Sequence, residues 1–231
     1  MISVIIPVTD EEKFIGRCID SVSKQNADFE IIVVDGGSDD GTLEIAGSRV
    51  DRVIISDHKN LAYQLNLGAR SSRGDILLFL HADCIMPDDA LEKIEDYLGG
   101  DEMTMGGAFT MKVEGSRFFY RILSLGGNIY SKVTGTYFGD RAIFVKKDVF
   151  VELSGFKNVP IMSDVDFSRR MKRAGITRML EGPVISSGRK FDSEPFWYII
   201  YLIFWSLSAF NQGIEPEIID KKYYKSYGKI W

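Results

Sequence analysis

Cysteine is scarce in this chain of 231 residues. Cys18 and Cys84 stand far apart without metal-ligand spacing, which excludes a disulfide framework and points to a reducing compartment. Positive charge is also in deficit: the formal net charge is −5, so nucleic acid is not an expected partner. No Pro/Gly/Ser-rich linker, low-complexity tract or internal repeat breaks the chain. The GxGxxG fingerprint and the GK[ST] ending of a P-loop are both missing. No apolar run reaches the roughly 20 residues that a bilayer crossing needs. The start, Met1-Ile-Ser-Val-Ile-Ile-Pro7, lacks the basic region, long apolar core and cleavage site of a secretory leader. A cytoplasmic chain is therefore expected.

What is present is an alternation of buried strands and amphipathic helices, with apolar residues enough for a sizeable core. Ser3 to Val8 is read as a first strand, followed by Phe14, Ile15, Cys18, Ile19 and Val22 at helical spacing. Glu30 to Val34, Arg52 to Ile55 and the run from Asp75 repeat the strand pattern. Leu61, Leu65 and Ala69, and later Ala90, Leu91, Ile94 and Leu98, repeat the helical one. This predicts an α/β fold with an open, mostly parallel sheet flanked by helices. Beyond it, 106–113 and 142–145 read as strands and 117–133 as a helix that completes a cleft.

Ligands of such sheets bind beyond the carboxyl ends of the strands, and there this chain places its polar residues. The run Ile76-Leu-Leu-Phe-Leu-His81-Ala-Asp83 ends in a histidine and a carboxylate, suited to a magnesium or manganese ion that bridges phosphate oxygens. Asp35 ends another strand and leads into Gly36-Gly37-Ser38-Asp39-Asp40-Gly41-Thr42, a turn that a nucleotide can approach or that simply caps a helix. His58, Lys59, Asn60 and Gln64 lie near a third strand end, within reach of a nucleotide phosphate. Asp164 and Asp166 precede a basic stretch, 168–174, where acidic residues suit the helix dipole or one of them serves as a general base. Arg189 and Lys190 offer cations to a diphosphate or form an ordinary basic loop.

In combination these motifs resemble glycosyltransferase family 2, with the GT-A fold, over Ser3 to about Phe191. The carriers are Val4-Ile-Ile-Pro7, Val34-Asp35 with its glycine-rich turn, Leu80-His-Ala-Asp83, and Ser163-Asp164-Val-Asp166. Phe79-Leu-His-Ala-Asp83, Gly106-Gly-Ala-Phe109, Gly139-Asp140-Arg-Ala-Ile-Phe-Val145, Leu153-Ser-Gly-Phe156 and Pro160-Ile-Met-Ser-Asp-Val-Asp166 are similar to the subgroup called radical-SAM/selenodomain-associated transferase 2. The resemblance implies a metal-dependent inverting transferase with Mn2+ or Mg2+ and a UDP- or GDP-linked sugar donor. It implies nucleotide binding by Pro7, Asp35, Ser38, His81 and Arg189, a metal at Asp83, and Asp164 as the base. Asp140 and Asp166 are expected to bind a hydroxyl acceptor, which a lipid carrier can bear. Two positions depart from the family pattern: His81 replaces the first Asp of its DxD motif, and Ser163 replaces the acidic neighbour of its base.

Two alternatives belong to other classes. A noncatalytic nucleotide-sugar-binding module would accommodate Ser163. A sugar-phosphate nucleotidyltransferase would need a basic Gly-rich loop after Pro7, where Thr9-Asp-Glu-Glu12 is acidic. Residues 1–191 are expected to form the catalytic domain and 192–231 a tail. In the tail, Phe196 to Phe210 is apolar nearly all round, which suits packing on the domain, a homodimer seam, or peripheral contact with the inner face of a membrane. The aromatic, basic end from Tyr223 to Trp231 suits a membrane surface or simple docking.

Overall fold

The computed structural model describes residues 1–191 and 195–227, without the side chains at 190 and 224–227. In chain order the elements are β1 (Ile2–Val8), α1 (Ile15–Ser23), β2 (Phe29–Asp35), α2 (Thr42–Gly47), β3 (Arg52–Ile55), α3 (Leu61–Ser71) and β4 (Ile76–Phe79). There follow β5 (Cys84–Ile85), α4 (Ala90–Gly99), β6 (Thr104–Val113), α5 (Phe118–Thr134), β7 (Ile143–Lys146) and α6 (Lys147–Glu152). The last are α7 (Ser163–Ala174), β8 (Ile176–Ser186), α8 (Phe196–Asn211) and α9 (Pro216–Tyr227). One sheet of eight strands, in the order β3-β2-β1-β4-β7-β6-β8-β5, runs through both halves of the chain.

The first half is parallel: β1 lies between β2 and β4, and β3 flanks β2. Both faces of this part are covered, which is why its strands are continuous Val/Ile/Leu runs. Ile2, Val4, Ile6 and Val8 of β1 face a core built with α1 and α4. Ile5, with Ile32 and Val34 of β2, faces the opposite core, where α3, Phe150 of α6 and Phe167 of α7 pack. This period-two division of one strand between two cores defines a helix–sheet–helix sandwich.

The second half is mixed. Strand β7 is antiparallel to both β4 and β6, β6 and β8 run parallel, and β5 closes the edge antiparallel to β8. Helices α6 and α9 were not expected, and three elements near the site also differ from the sequence pattern. Strand β8 was not expected, because Glu181-Gly-Pro183 interrupts it; the register with β6 shifts nearby, between Phe109 and Met111. Strand β5 has only two residues. Helix α7 begins at Ser163, ahead of the basic stretch, so Asp164 and Asp166 belong to its first turn, where acidic side chains favour the dipole.

A third apolar cluster joins α5 and α8 to the end of β6, through Met111, Val113, Tyr120, Phe191 and Ile199. Helix α8 is thus packed on the fold by one face, with Ile199, Leu202 and Leu207 buried and Trp197, Tyr201 and Phe204 exposed. Helix α9 lies along it, with Lys222 Nζ 3.8 Å from the Trp205 ring centroid and 2.8 Å from the Tyr201 hydroxyl. Among the described residues no helix is long and apolar enough to cross a membrane. The tail from Tyr223 to Trp231 falls largely outside the described residues, as does the side chain of Lys190.

At the amino-terminal edge of the parallel strands, Glu30 gathers the Ser3 hydroxyl at 2.7 Å, Arg52 Nη2 at 2.9 Å and Arg73 Nε at 3.0 Å. Burial works to raise this carboxyl, but the hydrogen bonds from Ser3, Arg73 and Arg52 outweigh it and hold the pKa at about 2. The opposite edge carries the site.

Candidate functional site

The carboxyl ends of β1 and β2 lead into two loops that latch together. Asp35 is buried and accepts the Gly37 amide at 2.9 Å, the Ser38 amide at 3.1 Å and the Ser38 hydroxyl at 2.5 Å. Ser38 Oγ in turn accepts the Asp10 amide at 3.0 Å, and the Glu11 amide donates to Thr42 Oγ1 at 2.7 Å. Gln64, expected within reach of a nucleotide phosphate, instead braces the sheet. It is buried, and its Nε2 donates to the carbonyls of Val8 and Val34 at 3.0 and 2.9 Å, bracing both strand ends. Pro7 pairs in register with Val34. Pro7, Asp35 and Ser38 therefore share one corner.

A cavity of about 510 Å³ opens at the same carboxyl edge of the sheet; His81, Asp83, Asp140, Asp164 and Arg189 all line it, whereas Pro7, Asp35 and Ser38 do not. They arrive from four places: the exit of β4, the 3-10 turn Gly139–Arg141, the first turn of α7 and the exit of β8. Gly139 makes the approach of two of these segments feasible, because a Cβ there would come within 2.6 Å of His81 Nε2. Lys59 and Asn60 also border the cavity, whereas His58 does not. Asp166 is absent from the lining. Its carboxylate is held by Lys157 Nζ at 2.7 Å and Arg170 Nε at 2.7 Å, so it braces α7 against the preceding loop.

Asp164 Oδ2 accepts the Gly139 amide at 2.7 Å and Oδ1 accepts the Val165 amide at 2.8 Å. Burial pushes this carboxyl above the ordinary aspartate range; the two amides pull it down, Asp140 pushes it up and His81 offsets that push. A carboxylate so placed is suited to taking a proton.

Arg189 joins two strand exits. Its Nη2 donates to Glu11 Oε1 at 2.5 Å and its Nε lies 3.5 Å from Asp83 Oδ2, while its guanidinium stacks 4.4 Å from the Phe14 ring centroid. Burial pushes Glu11 up, against the hydrogen bond and charge of Arg189. Glu11 and Asp83 follow β1 and β4, the neighbours between which the strand order reverses, and crevices at such points bind ligands. No sequence pattern marks Glu11, which stands in the acidic loop Thr9-Asp-Glu-Glu12. Cys18 and Cys84 are buried thiols raised by desolvation. Among the described residues no three His, Cys, Asp or Glu side chains are grouped to hold a cation unaided.

The model of a known family, described as glycosyl transferase family 2, matches residues 3–156. Among curated relatives, the glycosyltransferase AglE of Haloferax volcanii is 30% identical over 204 residues, 80% of this chain and 65% of AglE. A PGL/p-HBAD biosynthesis glycosyltransferase of Mycobacterium bovis is 36% identical over 110 residues, 44% of this chain and 43% of the relative. The chain spans less than two thirds of the length of these relatives. Solved structures share the fold. S. aureus TarS 1-349 in complex with UDP superposes with a TM-score of 0.65 at 16% identity, covering 99% of this chain and 72% of that one. The mannosyltransferase PcManGT from Pyrobaculum calidifontis, in complex with GDP-Man and Mn2+, gives 0.66 at 21% identity, covering 96% and 69%.

Proposed function

The chain belongs to glycosyl transferase family 2, and from that premise we propose that it moves a sugar from a UDP- or GDP-linked donor to a hydroxyl acceptor with inversion. Its motifs resemble those of the radical-SAM/selenodomain-associated transferase 2 subgroup. The observation that carries the mechanism is the convergence of Asp83 and Asp164 on one cavity at the carboxyl edge of the sheet. The acceptor oxygen attacks the anomeric carbon, the bond from that carbon to the diphosphate oxygen breaks, and the nucleoside diphosphate leaves with the electron pair. Asp164 takes the hydroxyl proton. Its amide bonds from Gly139 and Val165 fix the carboxylate in place. Asp140 lines the same cavity and orients the acceptor; Asp35 and Ser38 shape the corner for the nucleoside.

Asp83 and His81 fit a Mn2+ or Mg2+ ion only in company with donor phosphate oxygens, since such ions need one or two carboxylates when phosphate completes their shell. Bound there, the ion offsets charge on the leaving diphosphate. Arg189 contributes a second, permanent positive charge beside Asp83.

Incubation with UDP- and GDP-sugars, Mn2+ and candidate alcohols tests the reading by the products released. Nucleoside diphosphate together with a new glycoside is expected. Release of pyrophosphate from a nucleoside triphosphate and a sugar phosphate would identify a nucleotidyltransferase instead, and donor binding without turnover a noncatalytic module.

A further inference from the structure

Helix α5 carries adjacent glycines, Gly126 and Gly127, in the middle of its 17 residues, each costing about 1 kcal/mol relative to alanine. Gly127 has a packing reason: a Cβ there would lie 2.6 Å from Arg141 Nη2. Gly126 has none, because a Cβ there would meet nothing within 4 Å, and the residue borders the cavity. Its missing side chain leaves volume in the cavity.

The wall around Gly126 is apolar. Ile122 and Leu123 of α5 and Ile200, Ile203, Phe204 and Leu207 of α8 line it together, while the polar lining residues His81, Asp83, Asp140 and Asp164 come from the exit of β4, the 3-10 turn and α7. Ile122 and Phe204 also reach the surface, at 43% and 66% exposure. From them the apolar surface continues to Phe118, Leu125 and Ile129 on α5 and to Trp197 and Tyr201 on α8. A cavity within the usual 300–1,000 Å³ of ligand sites, apolar along one wall and charged along the other, fits an amphiphile rather than a free sugar. One further residue bears on the head of that amphiphile. Arg141 is 1% exposed and borders the cavity; its Nε makes no hydrogen bond, and among the described residues no carboxylate lies within ion-pair distance of it. Its Nη1 donates to Asn128 Oδ1 at 2.5 Å. Burial works against this guanidinium and only the charge of Asp140 favours it; a buried cation is costly, and an anionic head group offsets that cost.

We infer that the space between α5 and α8 is the chamber for the hydrocarbon chain of an amphiphilic acceptor, a long-chain or prenyl alcohol or its monophosphate, with its head at Asp140 and Asp164. The role of the head rests on the transferase reading; the place of the chain does not. With an alcohol head, the proton goes to Asp164 as above. With a phosphate head, an anionic oxygen attacks and no proton has to be removed.

The test follows the fluorescent apolar anion 1-anilinonaphthalene-8-sulfonate, displaced by farnesol, farnesyl phosphate or butanol, on wild type, Gly126→Leu and Phe204→Asp. Both variants change groups that border open space or solvent, so folding is retained, and thermal melting checks it. Saturable probe binding is expected, displaced by a farnesyl compound but not by butanol, and weakened at least tenfold in both variants with UDP or GDP affinity unchanged. The more effective competitor identifies the head, and Arg141→Gln removes a preference for the phosphate. Probe binding that no farnesyl compound displaces, or that both variants leave intact, overturns the chamber. Loss of nucleotide binding in the wild type, with the chamber's results as expected, would defeat the transferase reading alone.

Discussion

Arg189 and Glu11, separated by 178 positions in the chain, form an ion pair with Nη2 to Oε1 at 2.5 Å at the point where β1 leaves the sheet. Glu11 is buried, and a carboxylate in that position depends on its cation. The same guanidinium approaches Asp83, so one residue at the end of β8 couples the loops after β1 and β4.

Arg189→Ala should therefore lower stability by about 3 kcal/mol at pH 7, the cost of leaving a buried charge unpaired, and weaken donor binding at least tenfold. Without Arg189 the Glu11 carboxyl rises further above its ordinary value. The unfolded chain then loses its proton first as pH rises, so the deficit is largest at neutral pH and shrinks as Glu11 takes up a proton in acid. Thermal melts of both proteins between pH 4 and 8 measure this; a deficit independent of pH would refute the coupling.

Asp164→Asn should reduce kcat by about 10²- to 10⁴-fold, the usual range for general-base catalysis, with donor affinity unchanged. Because burial raises the Asp164 pKa, the base is ionised only above the ordinary aspartate range, and kcat should rise with pH along a limb displaced upward from 3.8. A pH–rate profile checks both. Retention of kcat in the asparagine variant would remove Asp164 from the reaction.

Glu30 makes an independent prediction for the far edge of the sheet. Its folded pKa of about 2 lies below the ordinary glutamate value of 4.5, so its contribution is fully present above the unfolded value and is lost as pH falls through the folded one. At roughly 1.4 kcal/mol per pKa unit, the contribution is about 3 kcal/mol. Urea unfolding of Glu30→Gln should show a loss of that order at pH 7, narrowing between pH 4.5 and 2. A constant difference across this window would contradict the assignment.

The parallel half of the sheet was legible because strands covered on both faces must be runs of Val, Ile and Leu, as in β1 and β2. Strand β8 was not, since Gly182 and Pro183 break the pattern that its pairing with β6 maintains. Asp83 and Asp164 stood out as carboxylates at an element's end, and the fold brings both to one cavity. Asp166, read in the same cluster, is turned to Lys157 and Arg170, a difference of two positions on a helix that spacing alone leaves open. The roles of Glu11, Arg141 and Gly126 depend on partners far away in the chain, so no local pattern marks them.

Isothermal titration with UDP and GDP, with and without Mn2+, on wild type and Asp83→Ala tests the central claim most directly. One nucleoside diphosphate should bind the wild type at least tenfold more tightly with Mn2+, and the variant should lose this difference while still folding. Absence of binding by either nucleotide under any condition, or an undiminished metal effect in Asp83→Ala, would contradict it.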